Sequence, residues 1–166
     1  MRLRRARPAD HEAAGAVTVA AYADFTRGPD DPYVEHLANA AARDLEAELW
    51  VATPDDSDEI LGTVTICREG SPWQELAGHD EGEFRMLAVA PAAQGMGVGE
   101  ALVRLVLDRF REVGATAIVL SSLPQMTDAH RLYERLGFVR TPERDWQPLP
   151  HIQLIAFRLD LQESPR

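Results

Sequence analysis

The sequence predicts an α/β fold, a single domain over residues 1–166 whose one sheet mixes antiparallel and parallel neighbours, and three features predict it. Apolar runs at 49–53, 60–68 and 83–90 are separated by turn- and loop-forming stretches without helical periodicity, which makes them successive antiparallel strands. The next apolar run, Thr116 to Ser121, follows an amphipathic helix, and a helical crossover makes it parallel to the 83–90 strand. Between them, Met86 to Leu102 reads as a strand stopping at Pro91, a turn with Gly95, Gly97 and Gly99, and a helix opening at about Val98.

In chain order, Leu3 to Arg7 is a short strand ended by Pro8. Asp10 is placed to cap a helix to about Ala23 with Ala13, Ala16, Val17, Ala20 and Ala21 inward. After a turn-rich joint, Asp24 to Asp30, the pair Asp31-Pro32 opens a second helix through about Glu48 with Tyr33, Leu37, Ala41 and Leu45 inward. The acidic turn Pro54 to Asp58 joins a hairpin of strands 49–53 and 60–68, and the loop Glu69 to Gly82 leads to the 83–90 strand. The helix after the glycine turn carries Val98, Leu102, Leu105, Val106, Phe110 and Val113 at helical spacing and closes at Gly114. Thr127 or Asp128 starts a short helix ended by Gly137, with Phe138 as the contact beyond the cap. Residues 138–141 and Ile152 to Leu159 are the last strands, either side of a proline-rich span at 142–150.

Composition narrows the function. At 166 residues and 45% hydrophobic the chain suits one sizeable core. A net charge of −10 with no basic patch argues against nucleic acid, and no run is long enough to span a membrane. All 17 basic residues are arginine, which together with abundant alanine suggests a GC-rich bacterial genome. The single cysteine, Cys67, excludes an internal disulfide and fits a reducing compartment, so the expected location is the cytoplasm, with Cys67 a packed residue of its strand. The five histidines have no metal-like spacing, and no metal is expected.

The glycine turn is an anion site. Glycines let the backbone approach a ligand, and the free N–H groups of the first helical turn point at it with the positive end of the helix dipole behind them, which suits a phosphate or pyrophosphate. A Walker loop would need a lysine, and a dinucleotide site a G-x-G-x-x-G spacing; the chain has no lysine and G-x-G-x-G. Gln94-Gly-Met-Gly-Val-Gly99 and Leu132-Tyr-Glu-Arg-Leu-Gly-Phe138 resemble the two signatures of the Gcn5-related N-acetyltransferases, and the flanking order of elements agrees.

That resemblance implies a mixed, twisted sheet of about six or seven strands with helices on both faces. Its two central parallel strands splay, and the pantetheine arm of acetyl-CoA, a cosubstrate, lies between them. It implies cofactor contacts from Leu87, Ala88 and Val89 through the backbone, from Gln94, Gly95, Met96, Gly97, Val98, Gly99 and Glu100 at the pyrophosphate, and at Met126, where many members carry asparagine. Tyr133 matches the family's general acid for the departing thiolate, and Glu83, eleven positions before Gln94, is in register with the histone-modifying branch's catalytic base. The implied activity is transfer of an acetyl group to a primary amine of a small molecule by direct attack. A protein or peptide acceptor and a non-catalytic acyl-CoA-binding module are the alternatives.

The acidic residues Glu69, Glu75, Asp80, Glu81 and Glu83, with no arginine among them, hint at a cationic acceptor. His79 and His151 are placed to approach it, and Phe25, Tyr33, Trp73 and Trp146 to line its cleft. The family often dimerises, so a homodimer is a further implication.

Overall fold

A computed structural model describes residues 1–162; the last four residues of the expected domain lie outside the described residues. The strands are β1 (Arg2–Arg5), β2 (Glu48–Thr53), β3 (Gly62–Cys67), β4 (Glu81–Val89), β5 (Ala117–Ser122), β6 (Val139–Arg140), β7 (Trp146–Leu149) and β8 (Ile152–Asp160). The helices are α1 (His11–Ala21), α2 (Tyr33–Ala38), α3 (Ala40–Glu46), α4 (Val98–Glu112) and α5 (Thr127–Arg135). The sheet runs β1-β2-β3-β4-β5-β8-β6, with β7 paired to β8 off this path. Among the described residues only β4 and β5 are parallel, as the α4 crossover requires.

Both faces are covered. Along β2, Leu49 and Val51 pack against Ala14 and Ala40 on one face. Ala52 joins the opposite core of Val64, Phe84, Leu102, Val106, Phe110 and Ile118, where α4 is seated. Gly82 lets α4 come this close, since a Cβ there would lie 2.5 Å from the Phe110 ring. Cys67 is buried and unpaired in β3, where burial pushes its thiol up to about 12, and it behaves as the small packed residue expected.

Several local expectations are corrected. Asp10 does not cap α1: its carboxylate takes both Arg4 Nη atoms at 2.7 and 3.0 Å and the Arg7 N–H at 2.7 Å, closing the turn before the helix. The inner face of α1 is Ala14, Gly15 and Thr18 rather than the neighbouring alanines, because Gly15 is pressed on the Ala38 carbonyl of α2. The expected second helix is two, broken at Asn39, whose side chain accepts from the Ala42 N–H and caps α3. The break changes the phase, so Leu37, Ala40 and Arg43 are buried while Leu45 is 86% exposed.

Arg43 stabilises the joint. Fully buried, it donates to the His36 and Leu37 carbonyls at the end of α2 at 2.7 and 3.0 Å, and burial pulls its pKa down to about 10. Val113, expected inward on α4, is 54% exposed, whereas Val103 and Leu107 are buried. Within the proline-rich span, Trp146–Leu149 is an eighth strand. Pro148 is tolerated because β7 is an edge strand with an irregular register against β8.

Candidate active site

The central strands part company. β4 pairs with β5 only at Glu81–Ala117, Gly82–Ile118 and Glu83–Val119, although β4 runs on to Val89 and β5 to Ser122. From Phe84 onward, the edge of β4 facing β5 has lost its strand partner. A bulge on the other edge contributes: Thr63 pairs with Ala88 but Thr65 with Arg85, so β4 carries one extra residue, and Met86 takes φ +52°. A cavity of about 760 Å³ opens at the splay.

At the far end of β4, Gly95 and Gly97 have φ of +79° and +80°, and a Cβ at either would meet open space. Gly97 caps α4, and the first backbone bond closing the helix is Ala101 N–H to the Gly97 carbonyl at 3.0 Å, leaving the N–H groups of Val98, Gly99 and Glu100 free of helical partners. The concave backbone, free donors and dipole fit a pyrophosphate. Gly99 has a different task, since a Cβ there would press on Leu132 of α5 at 3.3 Å. Gln94 and Met96 are exposed around the turn, and the Glu100 carboxylate is drawn to Arg135 at 3.1 Å, which holds its pKa below the usual range.

Tyr133 lines the cavity from α5, 6% exposed, with its ring edge-on to Phe84 and Phe157 at 5.8 and 6.0 Å. Gly137 at φ +101° ends α5, with Gly137 N–H on the Glu134 carbonyl at 3.0 Å and Phe138 N–H on the Tyr133 carbonyl at 2.9 Å. That double bond anchors the Tyr133 turn. Burial pushes the Tyr133 phenol's pKa up, so it stays protonated. Leu87 and Met126 also line the cavity, while Ala88 is buried in the β3–β4 pairing and Val89 lies against Gly99.

Glu83 is elsewhere. It is fully buried and does not line the cavity; its carboxylate accepts the backbone N–H groups of Glu75, Leu76 and Ala77 at 2.8 to 3.0 Å. The expected base is therefore a fastener for the β3–β4 loop. The loop residue it fixes, Glu75, does line the cavity, paired with Arg85 Nε at 2.8 Å. Burial raises the Glu75 pKa against the pull of Arg85.

The acidic loop is not arginine-free in space. Glu81 is held by Arg144 at 2.8 Å and Arg158 at 3.5 Å, and Glu75 by Arg85, all from other elements. Glu69, His79 and Asp80 gather on the surface instead, away from the cavity lining. His151, Phe25, Tyr33 and Trp73 do line it. Trp146 does not, but its indole N–H donates to Ser121 Oγ at 3.0 Å and ties the β7–β8 hairpin to β5. The sequence reading missed Arg85; its place two residues from Glu83 and from Leu87 on one strand was the available signal.

A splayed parallel pair with a half-open cavity at the splay, and a glycine-capped helix beyond the end of β4, suit an acyl-carrier-binding α/β domain of the acyltransferase type. Comparison with known proteins is specific: the model of the acetyltransferase (GNAT) family matches residues 16–138, and the chain belongs to that family. It is 31% identical over 126 residues to a mycothiol acetyltransferase of Renibacterium salmoninarum, covering 75% of this chain and 36% of that protein. The chain thus spans about a third of that relative's length. Among solved structures, a GNAT-family acetyltransferase from Brucella melitensis in complex with acetyl-CoA is 26% identical at a TM-score of 0.61, with 99% and 92% of the two chains covered. The ribosomal-protein-S18-alanine N-acetyltransferase from Escherichia coli shares the fold at a TM-score of 0.70 and 18% identity, covering 99% and 96%. Among the described residues no helix is long and apolar enough to cross a membrane.

Proposed function

We propose that the chain is an acetyl-CoA-dependent N-acetyltransferase whose acceptor is the primary amine of a small molecule. The observation that carries the reading is the cavity at the β4–β5 splay, which has a protonated phenol, Tyr133, and a carboxylate of raised pKa, Glu75, in one wall system. The family's use of acetyl-CoA fits this chain's own residues. The N–H groups of Val98, Gly99 and Glu100 take the pyrophosphate, and the unpaired edge of β4 at Leu87 to Val89 takes the thiol arm, with the apolar Met126 beside it.

The acceptor's ammonium gives its proton to Glu75, and the neutral nitrogen attacks the thioester carbon. The carbon–nitrogen bond forms as the carbon–sulfur bond breaks; Tyr133 protonates the departing sulfur, and the second proton lost by the nitrogen returns to the Tyr133 oxygen, leaving a neutral amide, a thiol and a neutral phenol. Burial keeps the phenol protonated, so its hydrogen is present for the sulfur. Glu83 positions Glu75 without touching the reacting atoms. A place in the cytoplasm belongs to the same reading, supported by the lone buried thiol of Cys67.

Calorimetry with CoA and a thiol-release assay over an amine panel test this. The parent protein gives heat with CoA, Gly97→Glu gives none because its side chain fills the open concavity, and thiol release requires an amine. No heat from the parent protein would overturn the reading.

A further inference from the structure

The wall of the cavity narrows the acceptor's chemistry. Tyr22, Phe25, Tyr33, Trp73, Phe84 and Leu154 make much of that wall apolar or aromatic. Set into it is one close ion pair, Arg85 Nε to Glu75 Oε1 at 2.8 Å, with side chains only 17% and 26% exposed. Arg85 lies over the Trp73 ring at 5.5 Å and donates Nη1 to the Trp73 carbonyl at 3.2 Å, so its guanidinium is held in place.

The other two carboxylates of the wall accept only neutral N–H groups and make no ion pair among the described residues. Asp31 accepts the N–H groups of Arg27 and Tyr33, both at 3.0 Å, and Glu46 accepts the Trp73 indole N–H at 3.3 Å. The Glu75–Arg85 pair is different: among the described residues its hydrogen bonds leave Glu75 Oε2 open and, the nearby Tyr33 phenol apart, Arg85 Nη2 as well. Drawing two charges toward an apolar cavity is costly unless their remaining hydrogen-bond capacity is met. One open acceptor beside one open donor is the complement of an ammonium beside a carboxylate.

We propose that the acceptor is a dipolar ion, an α-amino acid with an apolar or aromatic side chain. This rests on the acetyl-transfer reading above. The ammonium sits on Glu75, which takes its proton, the carboxylate sits on Arg85, and the side chain lies against the aromatic wall. The product is the N-acetyl amino acid, its new carbon–nitrogen bond replacing the thioester's carbon–sulfur bond. A purely cationic acceptor would leave Arg85 unsatisfied and facing a like charge.

The test compares L-phenylalanine, L-leucine and L-methionine with their carboxamides, which keep the amine and side chain but lose the negative charge. Thiol release gives kcat/KM, and calorimetry on the CoA-saturated protein gives affinity without turnover. The acids exceed their amides by about ten- to a hundredfold, the span expected for a hydrogen bond between charged groups. In Arg85→Gln the acid-to-amide ratio of affinities collapses to within about threefold, whatever the variant's turnover, and Arg85→Lys keeps part of the preference. Equal or better use of the amides by the parent protein would overturn the proposal while leaving acetyl transfer standing, and so would loss of the preference in Arg27→Gln but not in Arg85→Gln. The calorimetric comparison on the parent protein decides the matter even if Arg85→Gln is unstable. Absence of CoA binding would instead strike the underlying reading.

Discussion

Replacing Glu83 by glutamine separates a fastener from a base. In the folded protein Glu83 is fully buried, with Oε1 accepting three backbone N–H groups at 3.0, 2.8 and 2.9 Å and Oε2 sharing the first at 3.2 Å. Glutamine keeps one acceptor oxygen, loses the charge, and turns an amide donor toward donors. Hydrogen bonds to a charged acceptor contribute about 1 kcal/mol more each than neutral ones, so three of them put the loss at roughly 3 kcal/mol. For a chain of this size that lowers the melting temperature by about 6–12 °C. The pH profile is the second readout, taken with the best acceptor of the panel. Glu75 must be ionised to accept a proton, so activity falls as pH drops through its pKa, which burial raises from its ordinary value. The Glu83 charge also raises that pKa, so Glu83→Gln moves the acid limb to lower pH, whereas Glu75→Gln abolishes it. An unchanged melting temperature together with a lost acid limb in Glu83→Gln would show that Glu83 is the base, and the assignment to Glu75 would fall.

Two further outcomes follow from the same geometry. Tyr133→Phe lowers kcat by about a hundredfold or more while CoA affinity, read by calorimetry, stays within about twofold, because the phenol's work is proton donation rather than binding; equal turnover would remove Tyr133 from the mechanism. Gly15→Ala adds about 1 kcal/mol of helix propensity but puts a Cβ 2.3 Å from the Ala38 carbonyl, and a backbone clash does not rotate away, so α1 and α2 move apart and thermal unfolding comes earlier by several degrees. The acceptor KM rises with CoA affinity unchanged, since Tyr22, just beyond α1, and Tyr33 and His36 of α2 line the cavity while the glycine turn lies apart from this pair.

What is legible in the sequence follows from how strongly each local conformation selects its residue. The turn at Gly95 and Gly97 can be read because both positions have positive φ, where other residues are strained, and the end of α5 because Gly137 and Phe138 complete a cap. The phase of α1 is not readable, since alanine sits equally well on either face; Gly15 was the one mark of its inner side. The break at Asn39 hides in a run of good helix formers until Arg43 and Leu37 are seen to be buried together. The acceptor wall is least readable because its charges are decided by tertiary pairing. Glu75 and Glu83 look like neighbours in one acidic stretch, yet one faces the cavity and the other three backbone amides.

One residue with no sequence signature joins the two halves of the site. Met86 has φ +52°, a left-handed conformation that costs a non-glycine residue about 1–2 kcal/mol, and methionine gives no warning of it. The extra residue resets the alternation of β4. Phe84 and, beyond the bulge, Leu87 and Val89 all pack with the α4-side core, whereas Met86 packs with Leu37, Cys67 and Trp73 on the α2 side. Regular alternation would have put Met86 with Phe84 and turned Leu87 away from Tyr133's side of the sheet. The bulge therefore lets one strand hold Glu83 and Arg85 on the acceptor's side and then present Leu87 and Val89 to the splay. The strain at Met86 is tolerated because the flanking pairs, Thr65–Arg85 and Thr63–Ala88, fix the strand on either side of it.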